Sequence, residues 1–165
     1  MKMRKVLISL MVVVALLLLP TVALADTSQQ VTVTATPSYI AISNAPGTYD
    51  FSVITAGGTP NTGTGHFTIT NNSSITINIT IVCNGWSGAG NSWTYGAAGA
   101  DTAQLKASDG DGAYDVTVDD TTPAALASSV GVSTNPTWEL QLDAPTSFTY
   151  GDEQTTTVTV TASAA

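Results

Sequence analysis

The sequence predicts an all-β protein, an antiparallel β-sandwich with immunoglobulin-like or Greek-key connections. Valine, isoleucine or alanine alternates with threonine along many short segments, and this period of two is typical of strands with one buried face. Gly, Asn, Asp, Ser and Pro separate the segments. Beyond residue 25 no stretch except a turn at residues 124–129 has an apolar repeat at helical spacing, so about nine short strands in one domain favour a sandwich.

The alternation places the predicted strands one by one. They cover residues 31–36, 39–43, 49–54, 66–70, 75–82, 103–107, 114–118, 138–142 and 156–162. Residues 124–129 are the one segment whose apolar spacing is compatible with a turn of helix, and a turn is the expectation there. The Gly- and Ala-rich residues 84–100 are predicted to form the longest surface loop, in which Trp93 to Tyr95 is the one candidate strand.

Two hairpins are predicted from their turn residues. Asn71-Asn72-Ser73-Ser74 separates two strong strand segments, which predicts a tight turn between paired strands. Residues 108–112 contain two Asp-Gly steps, which readily adopt positive φ. They predict a second hairpin, between residues 103–107 and 114–118.

Residues 1–25 have the parts of a secretory signal peptide. A basic start precedes an apolar run over residues 6–19, and Ala23-Leu24-Ala25 supplies small residues for cleavage. The run is shorter than the roughly 18–20 residues of a membrane-spanning helix. We therefore expect cleavage after Ala25 and a single β-sandwich domain over residues 26–165, secreted or at the cell surface without a stable membrane span. An uncleaved membrane anchor is the alternative.

Acidic residues dominate the chain. Twelve Asp and Glu stand against four Lys and Arg, for a formal net charge of −8 at pH 7. Lys106 is the only Lys or Arg that remains after the expected cleavage. Such a surface repels phosphate backbones and anionic membranes, so we expect no binding to nucleic acid.

The chain has few of the parts that catalysis needs, and no enzymatic activity is predicted. His66 is the only histidine and shares the outward parity of neighbouring threonines, and no Gly-x-Ser-x-Gly motif is present. Cys83 continues the inward register of the isoleucines before it. It is therefore predicted to be a buried thiol, with an intermolecular disulfide as the alternative.

Asp109, Asp111 and Asp115 are the candidate metal ligands, because calcium prefers several carboxylate oxygens on a glycine-containing loop. The order Asp-x-Asp-Gly resembles part of a calcium loop, but Ala107 and Val118 stand where such a loop carries ligands. A solvated acidic hairpin is therefore the preferred interpretation. No cofactor other than calcium is expected.

Aromatic and asparagine side chains supply the remaining candidate sites. Trp86 is the candidate for contact with a sugar or a partner, although a tryptophan tucked over the end of the sandwich is the preferred interpretation. Asn71, Asn72 and Asn78 each match the N-glycosylation motif.

Residues 31–36 and 158–163 spell almost the same strand, Val-Thr-Val-Thr-Ala followed by Thr or Ser. Each offers one apolar face and one polar face. We hypothesise that the first strand leaves its own domain and pairs with a neighbouring copy through main-chain hydrogen bonds. The alternative is that both strands pair within one domain.

Residues 71–165 carry a set of strand and turn motifs. They are Asn71-Asn72-Ser73, residues 75–81, Trp93, residues 99–101, 105–107, 114–118, 138–142 and 144–148, Gly151 and residues 158–162. The set resembles secreted β-sandwich proteins of bacterial and archaeal surfaces. Trp138-Glu139-Leu140 is similar to the motif of the WxL wall-binding domain, and the leader followed by a sandwich resembles TasA-like filament subunits. The resemblance implies a surface or extracellular role and no catalytic residue.

The sequence thus predicts a secreted, non-enzymatic structural protein of the cell surface or envelope, such as a subunit of a filament, layer or virion. Its expected partners are copies of itself, through strand exchange, or components of the cell surface. The alternative function is a carbohydrate-binding or adhesive module that uses Trp86 and the acidic hairpin.

Overall fold

The computed structural model describes residues 31–165, so the predicted signal peptide and its cleavage site lie outside the described residues. The chain divides after Thr36, and Pro37–Ala165 forms one compact unit. All regular secondary structure in the described part is β-strand, which confirms the all-β prediction. Within residues 31–165 no helix has the length and hydropathy that crossing a membrane requires.

Eleven strands form the regular part of Pro37–Ala165. In chain order they are β1 (Ile42–Ala45), β2 (Phe67–Asn71), β3 (Ile77–Cys83), β4 (Ser87–Gly88), β5 (Thr94–Tyr95), β6 (Thr102–Ser108), β7 (Val116–Val118), β8 (Ala124–Val130), β9 (Thr137–Asp143), β10 (Gln154–Thr155) and β11 (Val158–Ala164). The first sheet has the order β1-β2-β9-β6-β5, with β7 also paired to β6; the second has the order β11-β3-β8; β10 and β4 form a small third sheet. All pairs are antiparallel except β5 with β6.

The apolar faces of the two larger sheets form one hydrophobic core, which gives a sandwich-like architecture. Alternate residues of β3, from Ile77 to Cys83, are buried, and so are Ala103, Leu105 and Ala107 on β6. This matches the period-two pattern of the sequence, because successive side chains of a strand point to opposite faces. The inward register predicted for Cys83 is confirmed.

The first predicted hairpin is wrong, because β2 and β3 belong to different sheets. Asn71 explains the crossing. Its side chain is fully buried, and its Oδ1 accepts the Ser73 amide at 2.9 Å. Its Nδ2 donates to the carbonyl of Ile75 at 3.2 Å and to those of Val130 and Gly131 at 3.0 Å each. The side-chain amide of Asn71 therefore forms hydrogen bonds within the turn and also links the turn to the end of β8.

The second predicted hairpin is confirmed, with Leu105 opposite Val118 in the β6–β7 ladder. Gly110 has a φ of 96°, which a side chain rarely allows. A Cβ at this position would lie 2.8 Å from the carbonyl oxygen of Thr137 on β9. The Asp-Gly turn is therefore needed both for its backbone conformation and for its close approach to the neighbouring strand.

Two predicted strands are absent from the described structure. Residues 31–36 have no strand pairing there, and Val31 and Val33 are 82% and 85% exposed. Residues 49–54 form an irregular segment, because Asp50 Oδ1 accepts the Ser52 amide at 2.7 Å and Ser52 takes a φ of 57°. Such a local side-chain turn competes with an extended strand.

Residues 124–129, predicted as a turn, instead belong to β8. The strand forms because β3 supplies a partner, with Ile81 opposite Ala124 and Ile77 opposite Val130. Small residues have low strand propensity alone, but ladder hydrogen bonds and burial of Leu126 override it. The register shifts within this pair, which explains why the sequence pattern breaks there.

Candidate functional site

An open cleft of about 840 Å³ lies between two segments of Pro37–Ala165, residues 46–54 and residues 150–158. Its floor is formed by side chains from the inner face of the first sheet, namely Phe67, Leu105, Trp138, Leu140 and Leu142. The floor is apolar because alternate residues of β2, β6 and β9 point toward it. This cleft combines an apolar floor with aromatic and polar rim residues, and we treat it as the candidate site.

The first wall of the cleft is the irregular segment over residues 46–54. Phe51 and Ile54 are partly buried and pack against the core, which holds the segment to the sheet. Between them Val53 is 94% exposed. Tyr49 sets its ring edge-to-face against Phe51, with centroids 5.0 Å apart, and remains 39% exposed.

The second wall runs from Tyr150 into the start of β11. It is anchored by Gln154, whose Oε1 accepts the Trp93 amide at 3.0 Å and whose Nε2 donates to the Asn91 carbonyl at 2.8 Å. Pairing of β10 with β4 adds main-chain support. The wall is therefore fixed to the loop over residues 84–100, while Tyr150 stays 42% exposed at the rim.

An aromatic cluster contributes to the cleft lining. The rings of Trp86 and Trp93 meet edge-to-face at 5.4 Å, and Trp93 stacks on Phe148 at 5.7 Å. The indole N–H of Trp86 donates to the Ala103 carbonyl at 3.3 Å. Trp86 is thus a half-buried cleft residue rather than a free surface ring, and Phe148 is the more exposed member of the stack, at 39%.

Trp86 and the acidic hairpin lie near opposite ends of β6. Trp86 is bonded to Ala103 near the start of β6, whereas the hairpin follows Ser108 at its other end. Five residues of strand separate these points by about 17 Å. The cleft lining includes none of the hairpin residues 109–115.

The structure does not gather Asp109, Asp111 and Asp115 into a metal site. Asp111 Oδ1 already accepts the Ala113 amide at 2.8 Å and the Ser108 hydroxyl at 3.0 Å. These hydrogen bonds lower the pKa of the Asp111 carboxyl. Asp109 and Asp115 are exposed, and residues 31–165 contain no group of three His, Cys, Asp or Glu side chains placed to hold an ion.

Removal of calcium is expected to leave the stability of the protein unchanged. A ligand that binds only the native state raises stability by RT ln(1 + [L]/Kd), so a bound ion would reveal itself through its loss. We expect the melting temperature in EDTA to agree within about 1 °C with that in millimolar calcium, measured by calorimetry. A drop of several degrees in EDTA would contradict this geometry.

Cys83 lies on the inner face of β3 and is 1% exposed. Its thiol donates to the carbonyls of Val118 at 3.6 Å and Asp119 at 3.5 Å. Burial raises the pKa of the Cys83 thiol to about 11. This placement opposes the intermolecular disulfide, because the sulfur cannot meet a second chain without opening the core.

The Cys83 thiol is expected to resist an aromatic disulfide reagent at pH 8 and to react at once in guanidinium chloride. Because the thiolate is disfavoured in the folded state, stability is intact below about pH 9 and falls as pH rises toward about 11. Absorbance of the released thiolate, followed with and without denaturant, checks the first expectation. Rapid labelling of the native protein would contradict the buried placement.

The three glycosylation candidates differ in accessibility. Asn71 is fully buried and its amide is engaged with three carbonyls, so the folded domain cannot present it and the prediction for Asn71 is wrong. Asn72 is exposed and donates to Ser43 Oγ at 3.2 Å. Asn78 is half-buried on β3, and its Oδ1 accepts the Ser129 amide at 3.0 Å.

The burial of His66 and Glu139 was not predicted from their parity in the sequence. His66 is half-buried between the rings of Tyr49 and Phe67, with centroids 4.7 and 4.8 Å away, rather than on an open face.

Glu139 has outward parity on β9, yet it is fully buried, with Oε1 accepting the Gly65 amide at 2.7 Å. Burial, and then the charge of Glu139, raise the pKa of Tyr114. No local pattern signals that a distant loop covers this carboxylate.

Comparison with known proteins gives no relative for this chain. No protein-family model matches it, and neither a curated protein nor a solved structure shows significant similarity to it.

Proposed function

We propose that the chain is an exported, non-enzymatic structural protein of the cell surface or envelope, which assembles from copies of itself into a filament, a layer or a virion shell. Export is supported by the signal-peptide pattern of residues 1–25. The proposal includes an immunoglobulin-like Greek-key topology, for which the crossing from β2 to β3 between sheets is the supporting feature.

The observation that carries the proposal is the state of residues 31–36. They alternate as a half-buried strand does, yet Val31 and Val33 are 82% and 85% exposed and no described residue pairs with them. An exposed, unpaired, alternating strand is a template for association with another chain. The presence of such a segment in a protein proposed to be secreted favours a functional role for it in binding another chain.

The charge distribution supports a partner held by main-chain and apolar contacts. Lys106 is the only Lys or Arg in the described part of the chain, and its Nζ lies 2.8 Å from Asp143 Oδ2. That pairing leaves the described surface without a free basic group for anionic ligands. Components of the cell surface remain the second kind of partner that this proposal includes.

A carbohydrate-binding or adhesive module is the second candidate function, now centred on the cleft. Trp86, Phe148 and Tyr150 line it, and aromatic rings stack on sugar faces. Calorimetric titration with oligosaccharides, using Trp86→Ala as the comparison, tests this candidate. Binding that survives the substitution, or no binding at all, counts against it.

Electron microscopy and sedimentation of the secreted protein test the leading proposal. Mass spectrometry should first show that the chain begins at Asp26. We expect ordered polymers whose fraction rises with protein concentration. A protein that stays monomeric at every concentration and salt condition would contradict self-assembly, and an intact leader in the membrane fraction would contradict export.

A further inference from the structure

We infer that the free edge of β11 is the acceptor for a strand donated by a second copy, and that residues 31–36 of that copy lie along it with Val31 and Val33 turned toward the cleft. The inference rests on the proposed self-assembly and names the two surfaces that meet. The partner is another molecule of this same chain.

The edge of β11 provides the main-chain groups. Residues Val158 to Ala164 pair antiparallel with β3 over the whole strand, from Val158 opposite Cys83 to Ala164 opposite Ile77. Among residues 31–165 nothing pairs with the other edge of β11. A seven-residue strand with one edge open offers a row of N–H and C=O groups to an incoming strand.

Burial across the second sheet shows that it is incompletely covered on this side. Ile77, Ile79 and Ile81 on β3 are fully buried. On the neighbouring β11, the inward-facing residues Val158 and Val160 pack against the core but remain partly exposed. The first sheet has six strands, while the second has three. One more strand beside β11 would extend the smaller sheet on its open side.

The cleft lies where the added strand would place its side chains. Val158, the first residue of β11, lines the cleft together with the wall that precedes it. The exposed rim residues Val53 and Tyr150 are apolar or aromatic. Alternate valines of an added strand would therefore bury surface that the single copy leaves in contact with water.

Residues 31–36 fit this acceptor in pattern, length and charge. Their string matches that of β11, so they too offer one apolar and one threonine face. Six residues extend about 20 Å, close to the length of β11. The segment carries no charge, so the acidic side chains of Asp50, Asp152 and Glu153 in the cleft lining do not repel it.

A second copy is the occupant because a single copy leaves the donor open. Val31 and Val33 remain almost fully exposed in the isolated chain. Residues 26–36 can extend up to about 36 Å when stretched, which is enough to lay a strand on a neighbour. Pairing of the segment with the β11 of its own chain is an outcome that the experiments below would reveal.

Paired substitutions in the full mature chain test which face of the donor is buried. Val31→Asp with Val33→Asp places two charges on the apolar face, and Thr32→Asp with Thr34→Asp places the same charges on the opposite face. We expect the valine variant to lower the assembled fraction at least tenfold in sedimentation and the threonine variant to keep most of it. Equal behaviour of the two variants in a protein that does assemble would overturn the inference while leaving self-assembly standing.

Disulfide trapping identifies the acceptor. Chains with Thr34→Cys are mixed with chains carrying Thr161→Cys on β11, and Thr117→Cys on β7 is the matched exposed control. The native Cys83 is buried and does not compete. We expect a mixed dimer with the β11 cysteine and little with the β7 cysteine. Equal trapping at both sites, or trapping only within a chain that carries both Thr34→Cys and Thr161→Cys, would overturn the inference.

Discussion

Replacement of Asn71 by alanine is expected to destabilise the domain by about 3 kcal/mol or more, because it leaves several buried main-chain groups without partners. The side chain serves the carbonyls of Ile75, Val130 and Gly131 and accepts the Ser73 amide. No water can replace these bonds without entering a fully buried site. The loss should also loosen the crossing between the two sheets.

Denaturant unfolding followed by tryptophan fluorescence measures this effect. Asn72→Ala is the matched control, since it removes the same amide one residue later from an exposed position. We expect the control to change the free energy of unfolding by less than about 0.5 kcal/mol. Similar unfolding midpoints for the two variants would show that the hydrogen bonds of Asn71 do not stabilise the crossing between the sheets.

Replacement of Trp138 by alanine is expected to cost about 3–5 kcal/mol, in the range of large-to-small substitutions in a core. The indole is 3% exposed and stacks on Phe67 with centroids 4.4 Å apart. Its Nε1 donates to Asn44 Oδ1 at 2.8 Å, which ties β9 to β1. The substitution therefore removes packing from the cleft floor and a hydrogen bond between two strands.

Thermal unfolding by calorimetry checks this expectation. Val53→Ala is the control, because Val53 is an apolar residue of the cleft rim that is 94% exposed and contributes little burial to a single copy. Trp138→Phe, which keeps a ring on Phe67 but removes the Asn44 bond, should fall between the two. A Trp138→Ala protein as stable as Val53→Ala would contradict the described core.

The register of the central strands could be predicted from the sequence because it depends on local alternation. Burial of every second residue in β3, and of Trp138, Leu140 and Leu142 on β9, follows from side chains that alternate across a strand. The β6–β7 hairpin was predictable for a similar reason, since Asp-Gly steps specify a turn without help from the rest of the chain.

Sheet membership could not be predicted in the same way. The alternation of β2 and β3 is equally compatible with a hairpin and with a crossing between sheets, and the bonds of Asn71 to β8 decide between them over about 60 residues. β8 itself was missed because its alanines and serines become a strand only beside β3. Residues 49–54 show the opposite error. They were predicted as a strand from their alternation, but the turn at Ser52 interrupts the extended backbone.

The cleft is formed by residues that are far apart in the sequence, and only some of its parts could be predicted. Residues 138–142 were predicted as a strand, and Trp86 was identified as the loop tryptophan of interest, but no pattern indicated that residues 46–54 and 150–158 form facing walls. Glu139 shows the same limit, since its parity points outward and only the distant Gly65 explains its burial. The open edge of β11 likewise emerges only from the assembled sheet.

Amide hydrogen exchange on the wild-type mature protein, below and above its assembly concentration, tests strand donation most directly. The amides of β11 that do not bond to β3, and those of residues 31–36, are unpaired within the described chain and should exchange rapidly in the monomer. On assembly we expect both sets to become protected together, while β3 changes little. Assembled particles in which the outer amides of β11 exchange as fast as in the monomer would contradict the account.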